Sequence, residues 1–230
     1  MTKIFCDIAD LNSIKKFNKK DIVKGFTTNP SLMRKANAKN YLEYTRKILN
    51  ITKKPVSCEV FADDFQTMIS QGLKISALGK NIYVKVPVCN SKGKFTGQVI
   101  KTLSHKNIKL NITAVYTFNQ AFKILKNINK KTNVIISIFA GRMADVGKDP
   151  LPIFKKILKS AKKFKKVEIL WASTREPYNY LQAKKINCDI ITIPPNIITK
   201  IENFGKSYNQ LTIDTVKGFL IDSKKSKYKI

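Results

Sequence analysis

The chain has 230 residues, is 43% hydrophobic, and sets 44 Lys and Arg against 15 Asp and Glu, for a formal net charge of +29. That length supports one sizeable core. No apolar run reaches the ~18 residues of a membrane span, and the opening MTKIFCDIAD lacks the apolar stretch and cleavage site of a secretory leader.

Short apolar runs alternate with longer amphipathic stretches. The runs are KIFCD (3–7), IVKGFTTN (22–29), PVSCEV (55–60), NIYVKVP (81–87), IKLNITAV (108–115), NVIISIFAG (133–141), VEILWAS (167–173) and CDIITIP (188–194). Their length and β-branched content predict eight strands. Between them, Phe65, Met68, Ile69, Gly72 and Leu73 fall at helical spacing within 63–79. Ile153, Phe154, Ile157, Leu158 and Ala161 do the same in 150–166, where Pro150 and Pro152 suit a first helical turn. Eight β–α units without a linker predict an α/β fold of one domain, a (β/α)8 or TIM barrel over 1–206. Residues 207–230 are expected to add an extra C-terminal helix (207–222) and a basic tail. A doubly wound open sheet is the alternative, but neither GxGxxG nor GxxxxGK[ST] is present.

The basic charge invites a nucleic-acid reading. The lysines, however, are spread along the whole chain in IKKFNKKD, LKNINKK, KKFKK and the tail SKKSKYKI, and the aromatics fall in apolar runs. A solvated basic surface is expected, with no specific nucleic acid and no membrane among its partners; weak, salt-sensitive contact with polyanions follows from the charge alone. Cys6, Cys58, Cys89 and Cys188 are far apart, with no CxxC or Cys/His spacing. They read as reduced thiols in a cytoplasmic protein, not as a disulfide frame or metal site.

Lys85 stands in the centre of an otherwise apolar strand. It is either an edge lysine reaching water or an amine kept for chemistry. In a barrel, function gathers at the C-terminal ends of the strands. Polar residues in the second halves of the runs are Asp7, Thr27, Asn29, Glu59, Lys85, Asn111, Thr113, Ser137 and Ser173. Pairs on one strand are two apart and share a face. If Val84 and Val86 pack against helices, Lys85 points inward and meets Asp7, Glu59 and Thr113. A neutral amine attacks a carbonyl, and each carboxylate offers proton transfer, roughly 10²–10⁴-fold apiece. The set suits imine chemistry on a ketone with no metal or cofactor, because the iminium is the electron sink. Arg142 and Arg175, with Ser173, supply forks and a hydroxyl for phosphate, so the implied substrate is a sugar phosphate.

These residues lie in motifs that resemble one family. GFTTNPSLM (25–33), IYVKVPV (82–88), NIT (111–113), SIFAGR (137–142) and WASTR (171–175) are similar to the signature blocks of the transaldolases, in the short subfamily that includes the fructose-6-phosphate aldolases. The resemblance covers residues 3–200. It implies a class I mechanism with Lys85 as the imine-forming lysine and Asp7 as general base. Glu59 and Thr113 would hold a water that shuttles protons. The TTNPS block (Thr28, Asn29, Ser31), Asn111, Ser137 and Phe139 would line the donor site, and Arg142, Ser173 and Arg175 would hold phosphate. Fructose-6-phosphate aldolases carry glutamine and tyrosine where this chain has Glu59 and Phe139; transaldolases carry glutamate and phenylalanine. A tyrosine hydroxyl can protonate the enamine and release dihydroxyacetone, whereas a phenylalanine leaves the enamine for an acceptor. Short relatives assemble into rings through the C-terminal helix, so a homo-oligomer is implied.

Several residues depart from the family pattern: Phe26, Cys89, Trp171 and the segment MADVGKDP (143–150). Trp171 would crowd the barrel mouth if it pointed inward. The first reading is a transaldolase that moves a dihydroxyacetone unit from fructose 6-phosphate or sedoheptulose 7-phosphate to an aldose phosphate; the second is an aldolase that releases free dihydroxyacetone; the third, motivated by MADVGKDP and Trp171, is an enzyme for an unusual sugar in polysaccharide synthesis. A polyanion-binding protein on an inactive barrel is the fourth reading. The single residues also have ordinary explanations. Asp7 could cap the helix of 10–17, Ser31 could be an N-cap, and Thr113 and Ser137 could be satisfied core hydroxyls. Arg142 could pair with Asp145 and Arg175 with Glu176 as surface ion pairs. His105, the sole histidine, is expected to be structural or exposed.

Overall fold

The computed structural model describes residues 1–227. Eight parallel strands close into one barrel in chain order: β1 (Lys3–Asp7), β2 (Val23–Thr27), β3 (Val56–Glu59), β4 (Ile82–Pro87), β5 (Leu110–Val115), β6 (Val134–Ile138), β7 (Val167–Trp171) and β8 (Ile190–Ile193). Each lies inside one of the eight apolar runs. The helices are α1 (Leu11–Asn18), α2 (Pro30–Lys35), α3 (Tyr41–Ile51), α4 (Phe65–Ser76), α5 (Gly97–His105), α6 (Phe118–Asn127), α7 (Ala140–Ala144), α8 (Leu151–Ala161), α9 (Tyr178–Lys185), α10 (Pro195–Glu202) and α11 (Tyr208–Ser226). The architecture is the expected (β/α)8 barrel with an extra C-terminal helix.

Local chemistry starts the helices. Asp10, Asn29, Asn40, Asp64 and Ser207 each accept a backbone N–H from the first turn of the following helix. Thr117 and Gln120 form a reciprocal capping box at α6. The cap of α1 is therefore Asp10, which leaves Asp7 free of that duty. The cap of α2 is Asn29, and Ser31 is an exposed residue of its first turn, because Pro30 takes the first helical position. The run 133–141 also ends earlier than expected: after Ile138 the chain turns at Phe139 into the short helix α7.

Strand alternation sorts the core into two. Ile4, Cys6, Val84, Val86, Ile112, Ile136, Ile169, Trp171 and Ile191 face the helix layer in the main cluster. Phe5, Tyr83, Ile135, Leu170, Ala172 and Ile190 form a separate plug inside the barrel. Gly25 makes room for that plug, since a Cβ there would stand 2.6 Å from the Phe5 ring. The plug fills the lower barrel, so inward positions nearer the strand C-termini are left for polar side chains. Three of the four cysteines are buried among helices and strands, and all four are free thiols. Burial pushes the Cys58 thiol up to about 11.

Trp171 points outward. Its ring stacks on Phe154 of α8 with centroids 4.7 Å apart, so it does not crowd the mouth. Phe26 likewise lies in the outer core. α11 buries none of its residues; Tyr208, Val216, Phe219, Leu220 and Ile221 are all more than half exposed. No helix among the described residues is long and apolar enough to cross a membrane.

The Trp171 contact is testable. Trp171→Ala should cost about 3–5 kcal/mol, the usual range for an aromatic lost from a core. Urea unfolding followed by far-UV circular dichroism measures this, because the substitution removes the only tryptophan.

Candidate active site

Lys85 is the centre of the upper layer. Val84 and Val86 are fully buried against the helices, which turns Lys85 into the barrel. Strand register sets Glu59 beside it on β3 and Asn111 beside it on β5. The Lys85 Nζ lies 3.0 Å from Glu59 Oε2 and donates to the Thr28 carbonyl at 3.1 Å. Both side chains of that ion pair are largely out of water, at 9% and 16% exposure. A pair so placed must be closely matched, since removing one partner strands a buried charge.

A cavity of about 200 Å³ opens above this layer. It is lined by Asp7, Thr27, Asn29, Lys85, Asn111, Thr113, Ser137, Phe139, Arg142, Ala172, Ser173, Arg175 and Thr192. Ten of the thirteen expected site residues therefore share one cavity. Glu59 stands behind Lys85 and acts on it from the wall. Thr28 turns its hydroxyl away to the Ser57 carbonyl at 2.9 Å and offers the cavity side only its own carbonyl. Ser31 is on the outer surface of α2, because the helix that Asn29 caps carries it past the mouth.

Two hydrogen-bonded sets organise the walls. Ser137 donates to Asn111 Oδ1 at 2.6 Å, and Asn111 Nδ2 donates to Ser57 Oγ at 2.9 Å. On the opposite side Thr27 donates to Asp7 Oδ1 at 2.6 Å, and Thr192 lies 2.5 Å from the Thr27 hydroxyl. Thr192 and Ser57 did not stand out in the sequence. Thr192 is the β8 counterpart of the same strand-end rule, and its position within CDIITIP was the available signal. Thr113 differs from its neighbours: its Oγ1 is buried and has no hydrogen-bond partner. Such a hydroxyl costs free energy unless something else meets it.

The rim carries the arginines. Gly141 in α7 lies against Ser173, so closely that a Cβ would come within 1.6 Å of the Ser173 carbonyl oxygen. That contact locks α7 under the β7–α9 loop and brings Arg142 and Arg175 to one side of the mouth. Ser173 itself holds φ +64°, in the left-handed region. The Arg142 guanidinium lies over the Phe139 ring at 5.6 Å. Arg175 forms a fork with Asp145, through Nε at 3.0 Å and Nη2 at 2.5 Å. The ion pair is thus Arg175 with Asp145, across the two loops, and not Arg142 with Asp145 or Arg175 with Glu176. Asp145 comes from the segment MADVGKDP. The Arg175 hydrogen bond holds its carboxyl below the usual carboxylate range. His105 is exposed at the end of α5, with its Nδ1 2.8 Å from the Lys101 carbonyl oxygen. Among the described residues no three His, Cys, Asp or Glu side chains are grouped to hold a metal ion.

The family model for transaldolase/fructose-6-phosphate aldolase matches residues 4–230. The chain belongs to this family. It is 38% identical over 223 residues to a "Probable transaldolase" of Nitrosopumilus maritimus, covering 91% of this chain and 96% of that one. It is 34% identical over 229 residues to a "Probable transaldolase" of a Ruegeria species, covering 99% of both. Among solved structures, a monomeric dihydrodipicolinate synthase variant gives a TM-score of 0.61 at 13% identity, over 84% of this chain and 69% of that one. The inosine 5′-monophosphate dehydrogenase of Legionella pneumophila gives 0.59 at 12%, over 85% and 58%. Those two share the fold alone.

In this transaldolase-family barrel Asp7 is costly to the fold. Burial raises its carboxyl above the ordinary value, outweighing the opposing pulls of the Thr27 hydroxyl and Lys85. A carboxyl raised in the folded state leaves stability intact below its unfolded value, near 3.9. Stability is then lost as pH climbs through the folded value. Asp7→Asn keeps an oxygen for Thr27 and removes the charge. Its melting temperature should exceed wild type at pH 8, and the gap should close as pH falls through the folded Asp7 value. Thermal unfolding at a series of pH values checks this; a gap that widens toward acid would contradict the sign.

Proposed function

We propose that the protein is a class I transaldolase, transferring a dihydroxyacetone unit from a ketose phosphate such as fructose 6-phosphate to an aldose phosphate. The observation that carries this reading is Lys85: a buried ammonium in ion-pair contact with Glu59, opening on a cavity that also holds Asp7 and two rim arginines. Glu59 takes a proton from the Lys85 ammonium, the neutral amine attacks C2 of the ketose, and the carbinolamine hydroxyl leaves as water with the proton that Glu59 returns, giving an iminium. Glu59 beside the amine and the unpartnered Thr113 hydroxyl are placed to handle that water. Asp7 takes the proton of the C4 hydroxyl. The C3–C4 bond breaks, its electrons move into the iminium to form an enamine, and an aldose phosphate leaves. The enamine then attacks the aldehyde carbon of the acceptor. Asp7 returns its proton to the new hydroxyl, and water hydrolyses the imine and frees Lys85.

Asn29, Asn111, Ser137, Arg142, Ser173 and Arg175 all line the cavity; in this reading the first three would meet the dihydroxyacetone hydroxyls and the last three the phosphate. Phe139 also lines the cavity and carries no hydroxyl. The enamine therefore has no phenol to protonate it and waits for an acceptor, which favours transfer over release of free dihydroxyacetone. With Trp171 packed on α8, the case for an unusual sugar rests on MADVGKDP alone.

Borohydride reduction in the presence of fructose 6-phosphate, followed by intact mass and peptide mapping, tests this. The expected product is a three-carbon adduct on Lys85, absent from Lys85→Met. No adduct with fructose 6-phosphate or with free dihydroxyacetone would overturn the imine mechanism.

The same reading includes a homo-oligomer. The apolar side chains of α11 find no cover within the protomer, and a neighbouring copy would supply it. Light scattering should give a multiple of 26.2 kDa, and Phe219→Asp with Leu220→Asp should reduce it to the protomer. A monomeric wild type would refute this part.

A further inference from the structure

We propose that Thr192 is a positioning residue for Asp7, acting through the Thr27 hydroxyl. The proposal rests on the reading above, in which Asp7 exchanges protons with the substrate. Thr192 lies on β8 opposite Phe5 in register, points into the barrel, and is 6% exposed. Its hydroxyl is 2.5 Å from the Thr27 hydroxyl, which in turn donates to Asp7 Oδ1 at 2.6 Å.

Proton counting sets the direction of this chain. Ionised Asp7 only accepts, and Thr27 has a single hydroxyl proton. That proton goes to Asp7, so the Thr27 oxygen is left to accept from Thr192. Each donor polarises the next, and the chain points its donors at the carboxylate. Without Thr192, the Thr27 hydroxyl is free to rotate toward the cavity. With it, Asp7 keeps one oxygen fixed and leaves the other to the substrate. The Thr192 backbone is held in turn: its carbonyl accepts from the buried Thr174 hydroxyl at 2.7 Å. Thr174 lies between Ser173 and Arg175, so one chain of threonines joins the phosphate rim to the candidate base.

The other groups around Asp7 leave this job open. Lys85 on β4 is the cation that faces it, Glu59 on β3 is engaged with Lys85, and Cys6 on its own strand points into the outer core. Arg142 and Arg175 stand at the rim. Thr27 is the group that donates a hydrogen bond to Asp7.

The test compares wild type, Thr192→Val and Thr192→Ser. Valine keeps the branch and loses the donor; serine restores it. With fructose 6-phosphate and an aldose phosphate acceptor, Thr192→Val should lose about ten-fold in kcat, a part of what a general base supplies, with KM within about two-fold. The acid limb of its pH profile should move to higher pH, and Thr192→Ser should return both toward wild type. Carbon NMR titration of the Asp7 carboxyl gives a second readout that needs no turnover. Asp7 should titrate higher in Thr192→Val than in wild type. An unchanged Asp7 titration in folded Thr192→Val would overturn the proposal, as would a loss of activity that serine does not restore. Failure of the underlying reading shows separately, as a wild type that transfers no three-carbon unit.

Discussion

The site depends on the placement of one ammonium group inside a barrel. Lys85 sits where strand alternation would otherwise put another apolar plug residue, one step above Tyr83. A charge there is tolerated only because Glu59, its register partner on β3, meets it at 3.0 Å and the Thr28 carbonyl takes a further N–H. The rest of the upper layer follows from that placement. Asn111 on the other flank is fixed by Ser137 and Ser57 and so does not compete for the amine. Asp7 stands across the cavity, held by Thr27. The lower barrel is filled with Phe5, Ile135, Leu170 and Ile190, which closes the floor and leaves the cavity open only toward the strand C-termini.

A second constraint fixes the rim. Gly141 has no side chain because the Ser173 carbonyl occupies the place of its Cβ. α7 and the β7–α9 loop are therefore in backbone contact, and the arginine from each is brought to the same side of the mouth. The Asp145–Arg175 fork adds an electrostatic tie across the same two loops. It orients the guanidinium through Nε and Nη2, and a phosphate would meet the remaining edge. The left-handed backbone at Ser173 belongs to this tight meeting of loops, and it is the kind of strain that gathers at binding sites.

Most of the frame was legible in the sequence. Eight β-branched runs spaced by amphipathic stretches left little choice of fold, and the period-two rule put Asn111 with Thr113 and Thr27 with Asn29 on one face. The helix starts were less legible, because several polar residues competed for each cap. Asp10 and not Asp7 caps α1, and Asn29 and not Ser31 caps α2. Trp171 was ambiguous for the same reason that Lys85 was informative: parity assigns a face only once the strand's phase is known, and Leu170 and Ala172 take the inward positions. Thr28 and Ser31 travelled with a motif whose backbone matters more than those two side chains. The partner of Arg175 was beyond reach, since Asp145 lies thirty positions away on another loop. Thr192 is inconspicuous in the sequence because a threonine in an isoleucine-rich strand looks like ordinary β propensity.

The large positive charge plays a different part from the one it first suggests. Near the cavity the charges balance: Lys85, Arg142 and Arg175 stand against Asp7, Glu59 and Asp145. The excess of +29 is carried elsewhere, by lysines spread over the chain. A site with little net charge of its own, set in a strongly positive surface, separates two tasks. Such a surface would draw anionic solutes toward the protein over distances of about a Debye length, and salt weakens that attraction. The paired charges inside act over contact distances, are far less screened, and discriminate by geometry. On this division a sugar phosphate would arrive by virtue of the lysines but be held by Arg142, Arg175 and the Ser173 hydroxyl. Its reacting carbons would then lie among groups whose charges are already matched, where a proton can move between Asp7 and the sugar without exposing a net charge to a dry barrel.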